Sequence, residues 1–111
     1  MKRIEAVIRP ERFDHVAEKL KEAGLAGFTI ADVRGHGQSP EKVGEWRGQT
    51  YELAVTHKLQ VTIIVEDDEV PAAVEAVVTG AYSGSLGDGL ITVSDVVAVY
   101  NIRNGLPSRT T

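Results

Sequence analysis

Cysteine is absent from all 111 residues of the sequence. Disulfide bonds, a thiol nucleophile and thiolate metal ligands are therefore excluded. Aromatic residues make up only 5% of the chain, and the stacking aromatics that RNA-recognition modules carry on adjacent strands are missing. The sequence has neither an apolar signal segment nor an apolar run long enough to span a bilayer. We therefore expect a cytoplasmic protein that does not insert into a membrane.

Positive charge is also scarce, because 12 lysine and arginine residues face 16 aspartate and glutamate residues, for a net charge of -4. Without a broad basic surface, the chain is not expected to bind nucleic acid. The only histidines, His15, His36 and His57, form no i, i+4 pair, so no metal motif is present. The balance of 42% hydrophobic and 25% charged residues is typical of a globular protein. We expect a single domain spanning residues 1–111.

Alternation of apolar and polar residues predicts strands at 2–9, 28–33, 59–65 and 91–100, the last as one strand or a strand pair. Apolar residues at helical spacing predict one helix over 13–20 that Gly24 ends and another over 70–77 with Gly80 near its end. Asp67 and Asp68 are the expected N-cap of the second helix.

The order strand, helix, strand, strand, helix, strand predicts an α+β, ferredoxin-like βαββαβ sandwich with both helices on one face of the sheet. Strand alternation places Val7, Ala31, Val33 and Ile64 on the opposite face. Since this face also needs cover, we expect copies of the chain to pack their sheets against each other.

A polar stretch that begins at Gly35 and Gly37 and runs to about Thr50 follows the second strand, and a loop of this length is unusual inside a compact domain. A second glycine-rich stretch, Ser83-Gly84-Ser85-Leu86-Gly87-Asp88-Gly89, lies before the last strand. Glycines at 84, 87 and 89 allow tight turns and close approach of backbone N–H groups to a phosphate. An ordinary turn between helix and strand is the alternative.

These segments resemble the PII signal-transduction family from end to end. The resemblance is carried by 1–10, by 27–30 and 33–37 at the start of the long loop, by Arg47-Gly48-Gln49-Thr50-Tyr51 in its later half, by 83–89, and by Asn101-Ile102-Arg103-Asn104-Gly105. It implies a homotrimer with an adenine nucleotide in each cleft between chains. It also implies three loops, which we name here: the T-loop (37–57), the B-loop (82–89) and the C-terminal loop (102–111).

The resemblance implies nucleotide-binding positions at Val7, Thr29, Gly35, Gly37, Gln38, Ile64, Gly87, Asp88, Gly89, Leu90, Asn101 and Arg103. It implies effector positions at Trp46, Arg47, Tyr51 and Lys58. Arginine is suited to phosphate, because its guanidinium donates to two oxygens and stays charged. Tyr51 keeps the position of a tyrosine that some relatives modify, although an anchor for the loop stem is the simpler interpretation.

Several positions depart from typical members of the family. Those members have a lysine in place of Leu90, arginines in place of Asn101 and Gln38, and a glutamate in place of Thr62. That glutamate and that lysine can pair with each other. Each lost cation removes a charge-assisted hydrogen bond of about 1.5–3 kcal/mol. We therefore expect AMP or ADP to bind more tightly than ATP, as regulatory ligands rather than permanent cofactors.

The T-loop also departs from the family, because Ser39 and Pro40 replace a glutamine and a lysine, and that glutamine helps to bind 2-oxoglutarate with magnesium-ATP. Lys58 resembles the lysine that contacts the carboxylate. We expect signalling through the T-loop to a membrane transporter or an enzyme, with bicarbonate as a candidate ligand. The alternatives are a nitrogen-regulatory PII protein that senses ATP, ADP and 2-oxoglutarate, a PII-like protein linked to metal efflux, and a CutA-like metal-tolerance trimer.

No catalytic residue is expected, because no nucleophile lies beside a base in the sequence. An enzyme is the remaining alternative, in which Asp88 assists slow nucleotide hydrolysis.

Overall fold

The computed structural model describes residues 1–36 and 55–108, together with the backbone of two strands at 43–46 and 49–52. Its strands are β1 (Lys2–Ile8), β2 (Thr29–Gly35), β3 (Val43–Trp46), β4 (Gln49–Glu52), β5 (Thr56–Val65) and β6 (Gly89–Asp95). Its helices are α1 (Phe13–Glu22) and α2 (Val70–Ala81). Short 3-10 turns at Pro10–Arg12 and Asp67–Glu69 lead into the two helices.

Four strands form one antiparallel sheet in the order β2-β5-β1-β6. Neighbours in the sheet are therefore not neighbours in sequence, as the ferredoxin-like pattern requires. The predicted fold class is confirmed. The bounds of β1, β2, β5 and both helices agree with the prediction to within a few residues, whereas β6 ends at Asp95 and not near residue 100.

The core lies between the two helices and one face of the sheet. Alternate residues Ile4, Ala6 and Ile8 of β1 are buried, and the cross-strand register aligns them with buried residues of β5. Val16 and Leu20 of α1 are buried against this layer, and Phe13 contacts Phe28 edge to face with ring centroids 5.9 Å apart. This arrangement follows from the two periodicities in the sequence, two in the strands and 3.6 in the helices.

The other face of the sheet, which we call the open face, carries the residues that alternate with the core. Val7 pairs with Gln60, Ala31 also pairs with Gln60, Val33 pairs with Lys58, and Ile64 pairs with Arg3. The four apolar residues therefore lie away from the helices, as predicted. Their burial between copies of the chain stays a prediction.

Gly80 sets the distance between the two helices. A Cβ atom built at Gly80 would lie 2.6 Å from the Cα atom of Val16 and 2.8 Å from its backbone nitrogen. The sequence places Gly80 near the end of α2, and the structure adds the physical reason, because only glycine lets the two helix backbones approach this closely.

One local prediction needs correction. Glu66, rather than Asp67 or Asp68, is the N-cap of the 3-10 turn that leads into α2, because Glu66 and Glu69 form a reciprocal capping box around that turn. The N-cap of α2 itself is Glu69, which makes no side-chain cap hydrogen bond. Within the predicted T-loop, β3 and β4 pair as an antiparallel two-stranded sheet. Their polar sequences lack the clear alternation that identified the other strands.

After β6 the chain forms a hairpin. The N–H of Ser108 donates to the carbonyl of Val99 at 2.8 Å, and the N–H of Asn101 donates to the carbonyl of Leu106 at 2.9 Å. Gly105 has a positive φ of 67° and closes the turn. Asn101 and Arg103 therefore lie near the tip of an ordered hairpin. Of the helices in the described ranges, none has the length and apolarity needed to cross a membrane.

Candidate functional site

Asp88 holds the B-loop closed from within. Its Oδ2 atom accepts hydrogen bonds from the backbone N–H groups of Ser83 at 2.9 Å and Gly84 at 3.2 Å. Its Oδ1 atom accepts the hydroxyl of Ser83. The loop is thus tied into a ring from Ser83 to Asp88, and the N–H of Gly84 is already bonded inside it.

These contacts favour the charged carboxylate of Asp88. The hydroxyl and backbone N–H of Ser83 are the main causes that lower the pKa of Asp88 to about 2, and the N–H of Gly84 and the guanidinium of Arg9 lower it further. Asp88 therefore stays ionised above about pH 4.

We predict that Asp88→Asn lowers the stability of the folded protein, and that the size of this loss depends on pH. Because the folded pKa lies below the unfolded value of about 3.9, the carboxylate adds stability above about pH 4 and loses this contribution as the pH falls toward 2. Thermal unfolding of both proteins from pH 7 to pH 2 should show a gap in Tm that closes below pH 4. A gap of constant size would contradict the assignment, and Glu18→Gln, an exposed carboxylate on α1, should show no comparable gap.

Two cations hold backbone carbonyls of the B-loop. Arg9, directly after β1, donates from Nη2 to the carbonyl of Leu86, and its Nε lies 3.4 Å from Oδ1 of Asp88. Lys58 on β5 donates from Nζ to the carbonyl of Gly87 at 2.9 Å. The loop is therefore fastened to two strands of the sheet as well as to itself.

The glycines of the B-loop take conformations that other residues rarely adopt. Gly84, Gly87 and Gly89 have φ values of 85°, 87° and 121°. A Cβ atom at Gly89 would also lie 1.9 Å from the carbonyl oxygen of Val7. The glycine pattern in the sequence is therefore required by the backbone, in agreement with the predicted tight turns.

A shallow cleft opens between the end of α2 and the edge of β6, beside the B-loop. Its volume is about 140 Å³, below the roughly 300–1,000 Å³ of pockets that enclose a drug-sized ligand. Its lining is mainly apolar and consists of Val7, Ile8, Val77, Val78, Ala81, Tyr82, Asp88, Gly89, Leu90 and Ile91. The cleft of one chain is therefore too small to enclose a nucleotide.

The structure separates the predicted nucleotide-binding residues into groups. Val7 pairs with Leu90 across β1 and β6, next to the B-loop residues at 87–89. Thr29 and Gly35 lie on β2, which is the opposite edge of the sheet. Three strand spacings of about 4.8 Å put that edge roughly 14 Å from β6.

Two further predicted positions lie toward the other end of the strands. Ile64 pairs with Arg3 near the start of β1. Arg103 follows β6, which runs about 20 Å from Gly89 to Asp95, and its side chain is exposed. Gly37, Gln38 and Arg47 lie outside the described residues, as do the side chains of Trp46 and Tyr51.

The sequence did not indicate Arg9 as part of the site, and it placed Ser83 in the B-loop without a role of its own. Arg9 and Asp88 are 79 positions apart, so no local spacing connects them. One feature could have indicated a role for Arg9, because Arg9 directly follows β1, which is the strand that pairs with β6. Outside this site, His57 Nε2 lies 3.0 Å from Oδ1 of Asp32, and the described residues contain no cluster of three or more potential metal ligands.

The antiparallel β2-β5-β1-β6 sheet, helices on one face and a fastened glycine-rich loop define a ferredoxin-like α+β protein. The family model described as nitrogen regulatory protein P-II matches residues 1–106. A nitrogen regulatory protein P-II of Microchaete diplosiphon is 40% identical over 105 residues, which cover 95% of this chain and 94% of that protein.

Two further relatives come from distant organisms. Nitrogen regulatory protein P-II 2 of Methanothermobacter thermautotrophicus is 39% identical, over 95% of this chain and 91% of its own. Nitrogen regulatory protein P-II 1 of Escherichia coli K12 is 38% identical, over 95% and 94%. The chain therefore belongs to the nitrogen regulatory protein P-II family, and the resemblance seen in the sequence is confirmed.

Proposed function

We propose that this protein is a cytoplasmic PII-like regulator, without catalytic activity, that binds adenine nucleotides in clefts between the chains of a homotrimer. The nucleotide changes the populations of T-loop conformations, and the T-loop binds a membrane transporter or an enzyme, with bicarbonate as a candidate co-ligand. A ligand shifts such populations only by its differential affinity for them. The observation that carries the proposal is the B-loop, which is fastened by Arg9, Lys58 and Asp88 beside an open cleft.

The distribution of candidate residues supports a site between chains. Within one chain, the B-loop and the β2 edge are roughly 14 Å apart, and the B-loop lies at the start of β6 whereas the C-terminal hairpin follows the end of that strand, which is about 20 Å long. A single nucleotide contacts all three groups more readily if they come from neighbouring copies. The small cleft beside the B-loop would then be closed by the second chain.

The charges near the B-loop support a preference for AMP or ADP over ATP. Lys58 already donates to Gly87, and Arg9 is paired with Asp88. Leu90, which is 77% exposed beside the loop, brings no charge. Among the cationic side chains, Arg103 therefore remains the main candidate for contact with phosphate, and a triphosphate finds little additional positive charge.

Calorimetric titration with AMP, ADP and ATP tests this function. We expect AMP and ADP to bind at least tenfold more tightly than ATP. Arg103→Ala should weaken the affinity for ADP by about ten- to hundredfold, which is the equivalent of one charge-assisted hydrogen bond. Tighter binding of ATP than of both other nucleotides would contradict the preference, and absence of binding by all three would contradict the function.

A nitrogen-regulatory role that uses ATP, ADP and 2-oxoglutarate is the second candidate, because the relatives described above are named nitrogen regulatory proteins. Adding 2-oxoglutarate with magnesium-ATP, and bicarbonate with ADP, separates the two roles. Enhancement of ATP binding by 2-oxoglutarate would favour nitrogen sensing. Enhancement of ADP binding by bicarbonate would favour carbon transport.

A further inference from the structure

Arg9 contacts both the carbonyl of Leu86 and the carboxylate of Asp88. Its side chain is 16% exposed and that of Asp88 is 24% exposed, so the pair lies largely out of water. A guanidinium is suited to this because it donates in several fixed directions at once. Arg9 therefore couples the end of β1 to two points of the B-loop.

The carbonyl contacts determine where the next N–H groups point. In a trans peptide unit the carbonyl and the following N–H point in opposite directions. Because Arg9 holds the carbonyl of Leu86, the N–H of Gly87 points away from Arg9. Because Lys58 holds the carbonyl of Gly87, the N–H of Asp88 points away from Lys58.

Both N–H groups are consequently directed outward. Arg9 and Lys58 are attached to β1 and β5, so N–H groups that point away from them face away from the sheet. Neither N–H donates to an acceptor among the described residues, whereas the N–H groups of Ser83, Gly84 and Ser85 are bonded inside the loop. Successive outward N–H groups in a turn form a concave site for an anion.

We propose that Arg9 is a positioning residue for phosphate: by holding Leu86 and Asp88, it directs the N–H of Gly87 toward the nucleotide phosphate. Arg9 does not contact the phosphate itself. This inference rests on the proposed nucleotide site. It adds that the orientation of the N–H groups that bind phosphate is maintained by a side chain at the end of β1. Lys58 acts in the same way on the N–H of Asp88.

The test compares adenosine, AMP and ADP by calorimetry on the full chain, because the gain in affinity from adenosine to ADP isolates the phosphate. Arg9→Gln should reduce this gain by about ten- to hundredfold, the equivalent of one lost charge-assisted hydrogen bond. The affinity for adenosine should stay unchanged. Amide resonances of Gly87 and Asp88 should shift on addition of ADP in the wild type and much less in Arg9→Gln.

Arg12→Gln is the matched control. Arg12 also donates to a backbone carbonyl, from Nε to Gly80 at 3.0 Å, but at the end of α2 rather than in the B-loop. It should lower Tm without changing the gain from adenosine to ADP. Arg9→Lys keeps the charge but not the fork of donors, so its loss should lie between those of the wild type and Arg9→Gln.

Each outcome decides the matter. An undiminished gain in Arg9→Gln, or an equal loss of adenosine and ADP affinity, would overturn the positioning role and leave nucleotide binding standing. If Arg9→Gln does not fold, Arg9→Lys takes its place. An undiminished gain in affinity from adenosine to ADP in Arg9→Lys would overturn the positioning role, since a positive charge alone would then suffice. Equal binding of adenosine and ADP by the wild type would overturn both this inference and the proposed phosphate site.

Discussion

Gly80→Ala should lower the free energy of unfolding by about 2 kcal/mol, a large effect for the addition of one methyl group. The new Cβ would lie 2.6 Å from Cα and 2.8 Å from the nitrogen of Val16, and 3.0 Å from the carbonyl carbon of His15. All three are backbone atoms of α1, so no side-chain rotation relieves the contact. Overpacking of a buried site costs about 1–3 kcal/mol and more where neighbours cannot move.

The higher helix propensity of alanine returns about 1 kcal/mol at most, which does not offset the separation of the helices. Moving α1 from α2 also loosens Val16 and Val77, which are both buried between the helices and the sheet. Urea unfolding of Gly80→Ala should show a lower midpoint. Thr79→Ala, exposed on the neighbouring position of α2, should stay within about 0.5 kcal/mol of the wild type. Equal or higher stability of Gly80→Ala would show that the helices adjust freely.

Much of the fold follows from local sequence patterns. Period-two alternation identifies β1 and β5 because each has one buried and one open face, and the buried residues of α1 follow helical spacing. Gly24 ends α1 with a positive φ of 78°, as predicted. These features depend on residues within one element, and a single sequence contains all the information that they require.

The features that the sequence did not predict depend on contacts between distant segments. The sequence predicts that Gly80 lies near the end of a helix. Its role in helix packing, however, depends on Val16, which is 64 positions away. The part of Arg9 in the B-loop appears only after β1 and β6 are paired. For Asp88 the glycine pattern indicated a phosphate loop, but it did not reveal that this carboxylate occupies the N–H groups of Ser83 and Gly84. Tertiary pairing, rather than local propensity, determines these roles.

Leu90→Lys should raise the affinity for ATP by about ten- to hundredfold. Leu90 is 77% exposed, follows Gly89 directly and pairs with Val7 on the open face. A lysine at this position is accommodated without displacing the core and extends its ammonium beside the B-loop. One charge-assisted hydrogen bond to a phosphate is worth about 1.5–3 kcal/mol, which gives the expected change.

Two variants separate a specific contact from a general increase in charge. Leu90→Met keeps an apolar side chain of similar volume at the same place and should bind ATP as the wild type does. Leu86→Lys adds the same charge on an exposed position of the B-loop. Because a charge held only in solvent is screened by salt, any gain from Leu86→Lys should disappear at about 0.5 M salt, whereas that from Leu90→Lys should persist in part.

Measuring AMP, ADP and ATP binding by Leu90→Lys also tests why the wild type should bind AMP and ADP more tightly than ATP. If the absence of a cation at position 90 causes the preference, Leu90→Lys should narrow the difference between ADP and ATP while changing AMP affinity much less. An equal gain for AMP, ADP and ATP would assign the new charge to the first phosphate, and the preference would then depend on other positions. No gain for ATP would show that the open face beside Gly89 does not border the terminal phosphates, which would overturn the explanation of nucleotide preference proposed for this protein.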